Sequence, residues 1–167
     1  MIIMGIDPGY AITGYGLVEF KGSRFRVIDY GIISTPSGMN FPERLLRISD
    51  DLERLLELYK PDVTAVEELF FSRNTTTAIG TAQARGVAVL SGAKAGLDVY
   101  EYTPMQIKLA VTGYGRAQKQ QVQQMVKVLL NLDSIPRPDD AADALAVAIC
   151  HAHSGNRSSA RAIGGYQ

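Results

Sequence analysis

Asp139-Asp140-Ala141-Ala142-Asp143-Ala144-Leu145 places acids where a helix should begin and again about one turn later. Residues three or four apart share a helix face, with Cβ atoms roughly 5–6 Å apart. Alanines surround these carboxylates and offer no counter-charge. Two more acids end apolar runs that read as buried strands: Asp7 in Ile2-Ile3-Met4-Gly5-Ile6-Asp7, and Glu67 in Val63-Thr64-Ala65-Val66-Glu67-Glu68. A carboxylate is almost never fully buried without a partner. If Asp7, Glu67, Asp140 and Asp143 converge, each like-charge pair at ~4 Å costs on the order of 4 kcal/mol at an effective dielectric near 20. A hard divalent cation relieves that cost. No Cys or His accompanies the acids at ligand spacing, so the set favours Mg²⁺, with Mn²⁺ as a substitute, over zinc. Two ions about 3.5–4 Å apart would activate a water and stabilise a leaving 3′-oxygen, which is phosphodiester hydrolysis. Taken singly, Asp7 is also a turn residue before Pro8-Gly9, Glu67 a strand-end acid, and Asp139 or Asp140 a helix N-cap. Spacing alone chooses neither between Asp139 and Asp140 nor between Glu67 and Glu68.

The elements that must position these acids are legible from periodicity and breakers. Strands are expected over residues 2–7, 13–20, 25–33, 63–67 and 99–102, and helices over 41–59, 75–94, 104–111, 117–131 and 139–152. Three antiparallel strands followed by alternating helices and strands give an α/β fold: a five-stranded mixed sheet flanked by helices on both faces. The first and fourth strands can then lie side by side, so that Asp7 and Glu67 meet near the carboxyl end of the sheet. Open α/β sheets bind ligands there. The last helix can lay Asp140 and Asp143 over them. One nuclease domain is expected over 1–153, and a flexible, Gly- and Ser-rich tail over 154–167.

The 17 basic and 17 acidic residues cancel. They are segregated, however. From Leu69 to Leu132 seven bases (Arg73, Arg85, Lys94, Lys108, Arg116, Lys119, Lys127) face only Asp98 and Glu101. Such asymmetry fits one face meeting an anionic partner. A single cysteine, Cys150, precludes an intrachain disulfide and reads as a core thiol. No apolar stretch approaches the roughly 20 residues of a membrane span, and no signal peptide opens the chain, so a cytoplasmic protein without membrane association is expected. Phe70 directly follows the Glu67 strand, where an aromatic ring can stack on an unpaired base. Arg73 and Asn74 beside it are candidate phosphate or base contacts. Arg85 reads as a structural or dimer residue. His151 and His153, two apart on a helix, do not read as a metal pair. The residues Ala78, Ala82, Ala84, Gly86, Ala88 and Ala93 suit close approach of a second backbone, as in a two-fold dimer.

Gly5-Ile6-Asp7-Pro8-Gly9 with Thr13-Gly14-Tyr15-Gly16, Ala65-Val66-Glu67-Glu68-Leu69-Phe70, Gln83-Ala84-Arg85-Gly86-Val87-Ala88 and Asp140-Ala141-Ala142-Asp143-Ala144-Leu145-Ala146 occur in the order of the RuvC-type Holliday junction resolvases, which this chain resembles from about Ile2 to His153. The resemblance implies a ribonuclease H-like fold and a homodimer. It also implies Mg²⁺-dependent, paired symmetric cleavage of four-way DNA junctions in homologous recombination and DNA repair. It selects Asp7, Glu67, Asp140 and Asp143 as the catalytic, metal-binding acids. It makes Phe70 the wedge that probes bases at the junction centre. Lys108 and Lys119 match the family's basic residues near the scissile phosphate, and Arg116 flanks Lys119. A branch-migration complex of the RuvA and RuvB type is the implied partner. Some family members carry His where Asp140 stands.

Other classes share parts of this pattern. Gly5-Ile6-Asp7-Pro8-Gly9 followed by Thr13-Gly14 resembles the phosphate loop of actin-like sugar kinases, but those need two such domains. A silent structure-specific binding module would have no use for four acids. An RNA-processing nuclease of the same fold is the remaining alternative, and branched DNA is favoured over it through the resemblance.

Overall fold

The architecture comes from a computed structural model that describes residues 1–69, 75–154 and 161–162. Its elements are β1 (Ile2–Asp7), β2 (Ile12–Lys21), β3 (Arg24–Ser34), α1 (Phe41–Tyr59), β4 (Val63–Glu67), α2 (Thr75–Lys94), β5 (Asp98–Tyr102), α3 (Pro104–Thr112), α4 (Lys119–Leu129), α5 (Asp139–Ser154) and β6 (Arg161–Ala162). The strands form one sheet in the order β3-β2-β1-β4-β5-β6. The five expected strands make its body. The tail, expected to be flexible, adds β6, which pairs antiparallel with β5 through Tyr100 and Glu101.

Local chemistry explains the boundaries. Gly22 and Ser23 both take positive φ, 54° and 67°, the requirement of a tight two-residue hairpin between β2 and β3. Glu43 accepts the Asn40 backbone N–H at 3.3 Å where α1 begins, and Lys60 turns left-handed ahead of Pro61 to end it. α3 opens on Thr103-Pro104, with the threonine hydroxyl accepting the Gln106 N–H.

Side-chain alternation along the strands divides the core. Ile3, Val18, Val63, Ala65 and Tyr102 pack with α3, α4 and α5 on one face. Met4, Ile6, Leu17 and Val66 pack with α1 and α2 on the other. The α5 face is the closer contact. A Cβ on Gly5 would lie 2.2 Å from the Ala144 carbonyl oxygen, one on Gly14 2.0 Å from that of Asp140, and one on Gly16 2.8 Å from the Leu145 side chain. Three glycines on one sheet face thus let the alanine-rich helix lie against β1 and β2. The small residues of α2, expected to admit a second backbone, serve the chain's own packing along much of the helix. Ala84 and Ala88 are buried in the core, Gly80 is filled by the Tyr10 ring, and Gly92 by Thr64 and Val99. An outer stripe of Ile79, Gln83, Gly86 and Leu90 faces away from the chain.

Gly14→Ala is expected to lose about 1–3 kcal/mol, since its clash is with backbone that cannot rotate aside. In a chain of this size that is roughly 2–4 °C in Tm for each kcal/mol. Thermal unfolding checks it, and an unshifted Tm would mean that α5 does not sit on the sheet at this distance.

Candidate metal-dependent nuclease site

Asp7 and Glu67 end two neighbouring parallel strands, with Ile3 to Ile6 of β1 in register with Val63 to Val66 of β4. Continuing the ladder puts Asp7 beside Glu67. Both follow the parity of Gly5 and Ala65, so both face α5. Glu68 has the opposite parity and leaves the strand through its N–H, which donates to the Tyr102 carbonyl at 2.8 Å. The loop after Asp7 is tied by Thr13, whose buried hydroxyl donates to the Gly9 carbonyl at 2.7 Å. Asp7 pairs with Gly14 across β1 and β2, and Gly14 carries the backbone of Asp140. That short chain of contacts brings the first turn of α5 over Asp7.

The electrostatics agree with a shared site. Burial, then the charges of Glu67, Asp143 and Asp140, push the Asp7 carboxyl up to about 8, with Lys119 partly offsetting them. Burial and the charge of Asp143 push Glu67 up to about 7 against the hydrogen bond it shares with Asp7 and the charges of Lys119 and Lys108. Burial also raises Asp143, although Lys119 opposes the shift. Lys119 donates from Nζ to Asp143 Oδ2 at 2.8 Å and lies 3.7 Å from Asp139 Oδ2. Burial disfavours its charge, but this hydrogen bond and the charges of Asp143, Asp139 and Asp140 outweigh burial and raise its pKa.

The structure therefore brings together Asp7, Glu67, Asp140, Asp143, Lys119 and Lys108. It separates Asp139 from Asp140: Asp140 acts on Asp7, whereas Asp139 engages Arg137 and Lys119. Arg116 is exposed between α3 and α4, lining a shallow cleft of about 370 Å³ with Met105, Leu109 and Tyr114. Phe70, Arg73 and Asn74 lie outside the described residues. Arg85 is 2.7 Å from Glu101 across the sheet edge, away from the acids. His151 meets Tyr102, and His153 meets the Ala110 carbonyl. The contact between Lys119 and Asp143 was missed in the sequence, because it joins α4 to α5 over 24 residues. Arg137 was missed too; its only signal was a base two residues before Asp139.

An all-oxygen set of half-buried carboxylates, with Asp7, Glu67 and Asp143 held above their ordinary range, suits a hard divalent cation. Among the described residues no three His, Cys, Asp or Glu side chains are closed into a metal cage; Asp143 gives its Oδ2 to Lys119.

Asp7 carries a pH prediction for protein kept in EDTA. Its folded pKa lies above its unfolded one, so the native state holds the extra proton between about pH 4 and pH 8. Its contribution to stability then falls as pH rises through that window. Relative to the wild type, Asp7→Asn is expected to be more stable at pH 8 than at pH 5.5, by roughly 1–3 kcal/mol. Denaturation at both pH values measures this, and a variant that tracks the wild type at both would contradict the crowded-carboxylate picture.

The comparisons with known proteins follow the same geometry. The family model described as crossover junction endodeoxyribonuclease RuvC matches residues 3–151. The crossover junction endodeoxyribonuclease RuvC of Alkaliphilus oremlandii is 60% identical over 156 residues, covering 93% of this chain and 95% of that protein. That of Ruminiclostridium cellulolyticum is 58% identical, covering 92% and 93%. The Thermus thermophilus RuvC in complex with a Holliday junction substrate superposes with a TM-score of 0.93 at 36% identity, covering 98% of this chain and 99% of that one. A yeast mitochondrial Holliday junction resolvase, at 14% identity and a TM-score of 0.64, shares the fold. The chain belongs to the RuvC family of crossover junction endodeoxyribonucleases.

Proposed function

We propose that this protein is a homodimer that resolves four-way DNA junctions in recombination and repair, by one divalent-metal-dependent cut from each protomer. The observation that carries the reading is the convergence of Asp7, Glu67, Asp140 and Asp143 on one sheet face, in a chain of this family. Those four acids would hold Mg²⁺, or Mn²⁺ in its place, and two such ions would activate a water and stabilise the leaving 3′-oxygen.

The chain's own residues do the rest. Asp7 and Glu67, on paired strands, fix one side of the site, and the first turn of α5 closes the other. Lys108, whose charge reaches Glu67, and Lys119, bonded to Asp143, are cations within reach of a phosphate brought to the acids. Arg116 extends that basic rim. Phe70 follows Glu67 by three residues and would wedge between bases there, with Arg73 and Asn74 as neighbouring DNA contacts. Phosphate contacts supply most affinity, and the ring supplies access to the scissile step.

The dimer reading rests on the outer stripe of α2. Ile79 and Leu90 are 60% and 53% exposed on it. Gly86 lies between them, and a Cβ there would meet nothing within 4 Å. Among the described residues no contact requires a glycine at that position, whereas a second helix crossing there would gain close approach. A two-fold axis along this face sets two sites against a substrate with two-fold symmetry. A branch-migration complex of the RuvA and RuvB type is the partner that the family suggests.

Incubation with a four-way junction, its duplex arms and an RNA counterpart, each with Mg²⁺ and with EDTA, tests the activity. Paired nicks in the junction with Mg²⁺ alone are expected. Asp7→Asn, Glu67→Gln, Asp140→Asn and Asp143→Asn should each lower cleavage by more than about a hundredfold while keeping junction binding in EDTA. Equal cutting of plain duplex, or a fully active Asp7→Asn, would overturn the proposal. Gly86→Leu should shift sedimentation from twice the 18.1 kDa chain mass toward the monomer; an unchanged dimer would move the interface off α2.

A further inference from the structure

We infer that Lys119 is the exchangeable counter-ion of the acid cluster, holding Asp143 until a substrate phosphate draws its ammonium away, so that tight divalent-metal binding depends on bound DNA. The inference rests on the nuclease reading above and adds an order of loading to it.

Lys119 Nζ lies 2.8 Å from Asp143 Oδ2, the length of a charge-assisted bond. A hard divalent ion would take a carboxylate oxygen at about 2.0–2.1 Å. Sharing Oδ2 would place a single and a double positive charge roughly 4 Å apart, and that repulsion exceeds the attraction a partly exposed ammonium–carboxylate pair retains in water. The lysine therefore yields, at the expense of metal affinity, and its ammonium needs another anion.

The surroundings supply few. Asp139 is 3.7 Å away but is already engaged by the Arg137 guanidinium. A phosphate oxygen delivered to the site has no such competitor. Lys119 is the first residue of α4 and its side chain is 54% exposed, against 25% for Asp143, so the ammonium can swing outward while the acid stays. Linkage makes the effect reciprocal: whatever DNA adds to metal affinity, metal adds to DNA affinity. Lys108 is the built-in control. Its charge reaches Glu67, yet among the described residues it forms no ion pair with the acids.

Mg²⁺ binding by calorimetry, on the whole protein with and without a junction carrying uncleavable linkages at the cut sites, tests this. Without DNA, Lys119→Met is expected to bind Mg²⁺ about tenfold more tightly than the wild type. Lys119→Arg should stay close to the wild type, and Lys108→Met should change less than threefold. Adding the junction should raise wild-type affinity about tenfold more than it raises that of Lys119→Met. Equal affinities of wild type and Lys119→Met without DNA would overturn the inference. So would equal tightening by Lys108→Met and Lys119→Met, which would show a general field in place of a specific pair. Wild-type cleavage of the junction is read separately. Cleavage with no Lys119 effect removes only the exchange, whereas no cleavage removes the nuclease reading beneath it.

Discussion

The distance between α5 and the sheet is the constraint on which the rest depends. Backbone lies on backbone where Gly5, Gly14 and Gly16 face Ala144, Asp140 and Leu145. At an ordinary helix-to-sheet separation of about 10 Å, the short side chains of Asp140 and Asp143 would stand a layer above Asp7 and Glu67. Removing three Cβ atoms from the sheet, and most side-chain volume from the facing helix, brings the acids of three separate elements into one field. The polar end of α5 is thereby placed by the smallest residues in the chain.

That placement has an energetic cost, and the structure shows where it falls. Burial is the largest cause raising Asp7, Glu67 and Asp143, ahead of any neighbouring charge. Asp7 and Glu67 share a hydrogen bond, while Asp143 is offset by an ammonium drawn from another helix. Each is a local solution to crowding that a divalent cation would make unnecessary. The site is built for charge that the carboxylates themselves cannot balance, which is how strain at a functional centre is ordinarily held in place by the scaffold around it.

Most of the fold was legible because its signals are local. The Leu45, Ile48, Leu52, Leu55, Leu56 spacing marks α1, and Thr103-Pro104 marks the start of α3. The convergence of Asp7 with Glu67 was legible because strand order and parity follow from connectivity. What was not legible depends on contacts between distant elements. Strand register and α5 packing set Asp140 against Asp7, and Asp139 differs from it only in which way one helix residue points. The small residues of α2 were read as an interface, but Ala84 and Ala88 serve the core, and a composition count cannot tell inner from outer helix faces. The glycines of β2 were legible as a motif yet not as the floor of a helix contact. Glycines at 5, 14 and 16, which face Ala144, Asp140 and Leu145 of an alanine-rich helix, were the signal that was there to be read.

A helix seated so closely at one end must also be held against rotation, because turning it by one residue, about 100°, would carry Asp143 out of the site. The far end of α5 provides that hold. His151 Nδ1 and Tyr102 Oη lie 2.8 Å apart in a buried pair, with the Tyr100 ring 4.6 Å from the imidazole. Burial lowers the His151 pKa to about 4, so the ring stays neutral and its bond to the tyrosine is kept across the physiological range. One turn face further round, His153 Nδ1 meets the Ala110 carbonyl at 3.0 Å and fastens the same end to α3. Tyr102 is in register with Glu67 on the adjacent strand. The histidines are therefore anchors of the acid cluster at a distance: one fixes the rotation of α5 through the residue that neighbours Glu67, the other through the helix that carries Lys108.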